Sequence, residues 1–128
     1  MKQRITIEQL NELSDAQKQR LRELWKPQDG DFIYSAKHGH PEFLEVAPMR
    51  GYGDYLKNRD KSLPLLNIGQ MIEILSEILL DISIVPKSLL TDKKLWSITI
   101  TFRETTFMKS FEKSELCDAL WQATKEIL

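Results

Sequence analysis

Apolar and polar positions alternate with two different periods along this chain, and the changes of period divide it into elements. From 6 to 25 the spacing is helical in two pieces. Thr6-Ile7-Glu8-Gln9 and Ser14-Asp15-Ala16-Gln17 each place a hydroxyl three residues before a glutamine, the form of a capping box. A single turn is expected after Thr6 and a helix from about 15 to 25, with Leu21, Leu24 and Trp25 on its apolar face and Pro27 ending it. Turn chemistry at 28–31 leads into Phe32-Ile33-Tyr34, and a second turn at Lys37-His38-Gly39-His40-Pro41 leads into Phe43-Leu44-Glu45-Val46. Residues 31–47 therefore predict a β-hairpin. Residues 48–62 follow neither period and are expected to form a long loop.

Asn67-Ile68-Gly69-Gln70 is a third capping box. Ile68, Met71, Ile72, Leu75, Ile78, Leu79 and Ile82 then keep helical spacing, so one central helix is expected from 67 to 82, with Pro86 marking its exit. Trp96 to Phe102 alternates strictly and predicts a half-buried strand. Arg103-Glu104-Thr105 is expected to turn it into a partner strand over 106–111. A last helix starts at Ser114 or Glu115, with Leu116, Leu120, Ala123 and Ile127 as its stripe and Cys117 and Trp121 at the borders. The expected fold is one α+β domain over 1–128. About three helices pack on a small antiparallel sheet made of two β-hairpins, in the order α-β-β-α-β-β-α.

Composition narrows the function classes. Apolar residues make up 41% and charged residues 29% of 128 residues, which excludes disorder over the whole chain. The formal charge is −1 and is balanced in every quarter, so no polybasic arm announces nucleic acid or an anionic surface. Glu73, Glu77 and Asp81 interrupt the most apolar stretch, and no membrane association is expected. One cysteine cannot form an internal disulfide, and Met-Lys-Gln-Arg-Ile-Thr lacks the apolar run of a signal peptide. A cytoplasmic location is expected.

Three stretches have a family look: Leu21-Arg22-Glu23-Leu24-Trp25-Lys26-Pro27 leading to Gly30-Asp31, Leu63 to Glu73, and Glu115-Leu116-Cys117-Asp118-Ala119-Leu120-Trp121. In these the chain resembles small proteins encoded in phages and prophages of Bacillus- and Clostridium-type Gram-positive bacteria. The resemblance implies a phage-derived cytoplasmic accessory protein and supplies no catalytic residue. Each stretch also has an architectural reading: Trp25 and Trp121 as packing groups, Asn67 with Gln70 as a cap.

Candidate chemistry is sparse, and the reading leans away from an enzyme, with no catalytic residue and no cofactor expected. His38, His40 and Glu42 are the one cluster of metal-ligand types, but a third ligand at a recognisable spacing is missing and the Gly-His-Pro setting reads as a turn. Gly51-Tyr52-Gly53 matches neither dinucleotide nor P-loop spacing. Cys117 has no histidine near it in sequence and reads as buried packing. Glu73 and Glu77 read as the polar edge of a helix. The 50–61 segment holds Arg50, Tyr52, Tyr55, Lys57, Arg59 and Lys61, and Tyr and Arg are favoured at protein contacts. The first functional reading is a non-enzymatic accessory protein that binds a host or phage protein through those residues. The alternatives are a nucleic-acid-binding accessory protein using the same residues, with aromatics stacking on bases and cations holding phosphates, and a metal-dependent enzyme around 38–42. A homodimer through the apolar helices is compatible with all three.

Overall fold

A computed structural model of the chain describes residues 1–27, 31–37, 40–48, 63–88 and 94–128. It is α+β and divides into two compact units, one of Thr6–Leu66 and one of Met1–Ile5 with Asn67–Leu128.

The Thr6–Leu66 unit begins with the two capped pieces. Helix α1 is Ile7–Leu10 and helix α2 is Asp15–Leu24. Thr6 and Ser14 cap them, each side chain accepting from the amide of Gln9 or Gln17 while the glutamine side chain accepts from the cap amide in return. This satisfies amides that the first helical turn leaves without a partner. Leu21 and Trp25 are buried and Leu24 half-buried, as the apolar face requires. The Trp25 indole N–H donates to Asp31 Oδ2 at 3.0 Å, tying the end of α2 to the entry of the sheet.

Strands β1 (Phe32–Lys37) and β2 (His40–Pro48) pair antiparallel as the expected hairpin. A third strand, β3 (Leu63–Pro64), pairs with β1 and gives the order β2-β1-β3. It is too short to show a period, and it is pinned by the Leu65 amide donating to the Phe32 carbonyl at 2.8 Å. His40 and Pro41, expected in the turn, belong to β2. With Pro48 at its other end, β2 carries two prolines, which a sheet accepts on an edge strand such as this one.

In the second unit the Ile68 amide donates to the Gln3 carbonyl at 3.1 Å and Arg4 bridges to Asn67, so the first residues of the chain lie along the entry to helix α3 (Ile68–Ile78). Asn67 caps α3 as predicted, accepting from the Gln70 amide at 2.8 Å. Met71, Ile74, Leu75 and Leu79 are buried.

The helix ends four residues before the expected limit, because Asp81–Ser88 is a strand, β4. Ile82 satisfies both periods. Beyond it, Ile84 and Val85 favour the pleated state, where β-branched side chains lose less rotamer freedom than in a helix. Pro86 therefore lies inside β4 rather than marking an exit, and β4 is an edge strand.

β4 pairs with β5 (Lys94–Thr101), and β5 with β6 (Met108–Lys113), in the order β4-β5-β6. The chain closes with helix α4 (Leu116–Ile127), which packs against α3, β5 and β6. The buried side of α4 keeps Leu120 and Ala123 of the expected stripe but is turned toward its borders at Cys117 and Trp121. Cys117, Leu120, Trp121 and Thr124 are fully buried, while Leu116 and Ile127 are only half-buried. Thr124 is accommodated because its hydroxyl donates to the Leu120 carbonyl one turn earlier at 2.8 Å.

Among the described residues the expected order is thus replaced by α-α-β-β-β-α-β-β-β-α, with one-turn α1 as an extra helix. Among the described residues, β3 and β4 are the strands that the periodicity does not reveal, and the strands form two three-stranded sheets instead of one.

Candidate functional site

Register divides the β4-β5-β6 sheet into two chemically different faces. Ile82, Ile84 and Pro86 align with Ile100, Ile98 and Trp96, and these with Lys109, Phe111 and Lys113. On this face Ile98 and Ile100 are fully buried, and α4 covers its β5 and β6 strands. The opposite face aligns Ser83, Thr99 and Ser110 in one row, Asp81, Thr101 and Met108 in the next, and Val85, Ser97 and Glu112 in a third. Thr99 and Ser110 share a hydrogen bond at 2.9 Å. Lys87 on β4 reaches Glu112 on β6 at 2.7 Å, across the central strand above Ser97, which explains why Ser97 is buried on an otherwise open face.

At one end of this sheet large apolar side chains stand in water. Leu80 is 53%, Phe107 60% and Met108 62% exposed. The backbone brings their positions to the same end of the sheet: the Leu80 amide donates to the Thr101 carbonyl at 2.9 Å, Thr101 pairs with Met108, and the Phe107 ring lies 6.3 Å from that of Phe102.

The turn that presents them is built from local bonds. The Phe102 amide donates to the Phe107 carbonyl at 2.9 Å, the Thr106 amide to the Phe102 carbonyl at 3.1 Å, and the Phe107 amide to Thr105 Oγ1 at 3.3 Å. Thr106 closes the turn at φ 52°, a left-handed conformation that a β-branched residue adopts at an energetic cost. Arg103 Nε donates to the Ile78 carbonyl at 3.2 Å, so the same turn satisfies an end carbonyl of α3 with a cation, the charge that helix end favours.

Cys117 is fully buried beside the start of α4, and burial pushes its thiol from the ordinary 9.0 up to about 11. Lys2 and Arg4 pull the other way without overcoming it, while Asp118 and Glu115 add to the rise. The complete burial of Cys117 is that of a packing side chain. Glu115, at the cap of α4, accepts from the Lys2 amide at 3.2 Å, and the Lys2 ammonium meets Asp118 at 2.6 Å. Those charges hold the chain start against α4. Glu73 and Glu77 are exposed on α3, as a polar edge should be.

Of the residues singled out from sequence, Arg50, Tyr52, Tyr55, Lys57, Arg59, Lys61 and His38 lie outside the described residues. His40 and Glu42 belong to the backbone of β2. The exposed apolar end was not among the sequence candidates. Its signal was present in the Thr105-Thr106-Phe107-Met108 run, where an apolar pair follows directly on a turn. No family model, curated protein or solved structure matches the chain.

Proposed function

We propose that the chain is a non-enzymatic accessory protein of phage type that binds a protein partner through the exposed apolar end of its β4-β5-β6 sheet. The observation that carries this reading is the exposure of Leu80, Phe107 and Met108, each by more than half, at positions that the strand pairing and the 102–107 turn place at one end of the sheet. Exposed large apolar side chains mark contact surfaces when polar groups accompany them, and the neighbouring Arg103 and Glu104 are exposed. The phage context and a cytoplasmic setting rest on the resemblance of the three motifs. The 50–61 segment, with its Tyr and Arg residues, enters the proposal as a second contact on composition alone.

The test is capture of tagged protein from host lysate with nuclease present, comparing the wild type with Phe107→Ser and Leu80→Ser. A stoichiometric protein partner lost by at least about tenfold in both variants is expected. A partner retained equally by folded variants overturns the assignment to this end of the sheet. Enrichment that disappears with nuclease moves the function to nucleic acid.

A further inference from the structure

The two edges of the β4-β5-β6 sheet are not equivalent. β4 carries Pro86, which lacks an amide hydrogen, and a proline inside a sheet occupies a position whose amide side faces away from the neighbouring strand. That interrupts any strand arriving on the β4 side. β6, Met108-Lys109-Ser110-Phe111-Glu112-Lys113, has neither proline nor glycine, and it is the last strand of its sheet among the described residues.

The pairing of β6 fixes which of its backbone groups are available. The Phe102 amide donates to the Phe107 carbonyl, and hydrogen-bonded pairs alternate along an antiparallel ladder. They therefore recur at Ile100–Lys109, Ile98–Phe111 and Trp96–Lys113. Met108, Ser110 and Glu112 consequently direct their amide and carbonyl groups away from β5, along the open edge. The side chains of all three lie on the exposed face.

We propose that this edge joins a second copy of the chain, antiparallel across a two-fold axis at Ser110, to make a continuous six-stranded sheet. Paired residues in an antiparallel ladder point to the same face, so a two-fold pairing of β6 with itself must centre on a residue and not between residues.

Charge then selects the centre. Centring on Lys109 or Glu112 sets a like charge against itself, and centring on Phe111 sets Lys109 against Lys113 twice. Centring on Met108 pairs only the beginning of the strand, leaving the rest against the turn. Centring on Ser110 sets Ser110 against Ser110, Met108 against Glu112 and Lys109 against Phe111, with no like charges opposed. In that register the outward groups of Met108, Ser110 and Glu112 find one another as hydrogen-bonded pairs. The hydroxyl row Ser83–Thr99–Ser110 continues through the axis into its copy. Lys109, whose ammonium is held by Glu126 at 2.5 Å and lies 5.8 Å from the centre of its own Phe111 ring, falls opposite Phe111 of the second copy. The inference shares Met108 with the protein-partner reading but is tested apart from it, by self-association of the purified chain alone.

A six-residue strand pairing lies at the small end of specific interfaces, so dissociation constants of roughly tens to hundreds of micromolar are expected. Sedimentation equilibrium over a range reaching about 1 mM should show the mass rising from 15.0 kDa toward its double. Met108→Glu, which opposes Glu112 twice in each dimer, is expected to weaken association by about tenfold, and Met108→Lys to strengthen it. Ser110→Pro, which removes the central outward amide, is expected to abolish it. The Met108 pair keeps the inference falsifiable if Ser110→Pro unfolds. A wild-type mass constant at 15.0 kDa overturns the proposal. So does a dimer on which Met108→Glu and Met108→Lys act alike.

Discussion

Alternate residues of the same three strands write the two faces of the β4-β5-β6 sheet, yet the faces belong to different chemistries. On one, Ile98 and Ile100 are lost to solvent entirely, and α4 lays Leu120 and Trp121 into the same buried layer. On the other, a step of one residue along β5 exchanges those isoleucines for Ser97, Thr99 and Thr101. No helix covers that face among the described residues, and its one buried side chain, Ser97, is sheltered by an ion pair rather than by apolar packing. The difference teaches where stability resides in this unit. Apolar area removed from water holds the inner face. The outer face presents hydroxyls, one ion pair and the exposed Met108 and Val85.

The largest expected effect breaks this comparison at one strand. Ile98→Ala removes a fully buried side chain between Ile84 and Phe111 and leaves a cavity, so a loss of about 3 kcal/mol is expected in urea denaturation. Thr99→Ala, the adjacent residue on the open face, loses one hydroxyl contact to Ser110 and should change stability by no more than about 1 kcal/mol. Equal losses at the two positions would mean that the outer face is also packed.

A smaller effect distinguishes buried from open surroundings through protons. The folded thiol of Cys117 holds its proton up to about pH 11, whereas its ordinary value is 9.0. Between those values the unfolded chain binds fewer protons than the folded one, so stability falls as pH rises through this window and is fully present below it. The contribution is on the order of 2 kcal/mol. Denaturation midpoints measured from pH 8 to pH 11 should therefore fall more steeply for the wild type than for Cys117→Ala. Parallel curves would show that the thiol is not held in a dry layer.

How much of this was legible depends on the range over which each signal acts. The caps at Thr6, Ser14 and Asn67 were readable because a capping box is closed by residues three apart and needs nothing else. The alternation of β5 was readable because one buried and one open face impose a strict period of two. Ile82 was misread because helical and pleated spacing coincide there, and only pairing with Ile100 decides between them. The buried side of α4 was misplaced in part, since apolar spacing alone ranked Leu116 above Trp121 while packing on α3 and the sheet chose Trp121. The exposed end was invisible for a different reason. Alternation puts Phe107 on the side of Phe111, and its exposure follows from the turn geometry at Thr106, a backbone property that hydrophobic patterning does not encode. The loop candidates from Arg50 to Lys61 lie outside the described residues, so composition remains what supports them.

The smallest effect concerns the turn that keeps the two faces in phase, because a slip of one residue in register would carry every side chain of β6 to the wrong face. Thr105 and Thr106 are chemically identical neighbours with opposite duties. Thr105 Oγ1 accepts the Phe107 amide, while the Thr106 hydroxyl only donates back to the Thr105 carbonyl and its branched side chain sits at φ 52°. Thr106→Gly relieves that conformation but also loosens the unfolded chain, and the balance is a gain of about 0.5 kcal/mol. Thr105→Ala should instead lose about 0.5–1 kcal/mol, because the Phe107 amide forfeits its acceptor. Thermal melts of the two variants should therefore shift in opposite directions. If Thr106→Gly lowers the midpoint, the left-handed residue is held by contacts worth more than its strain. The exposed position of Phe107 would then be fixed by side-chain packing instead of by the backbone of the turn.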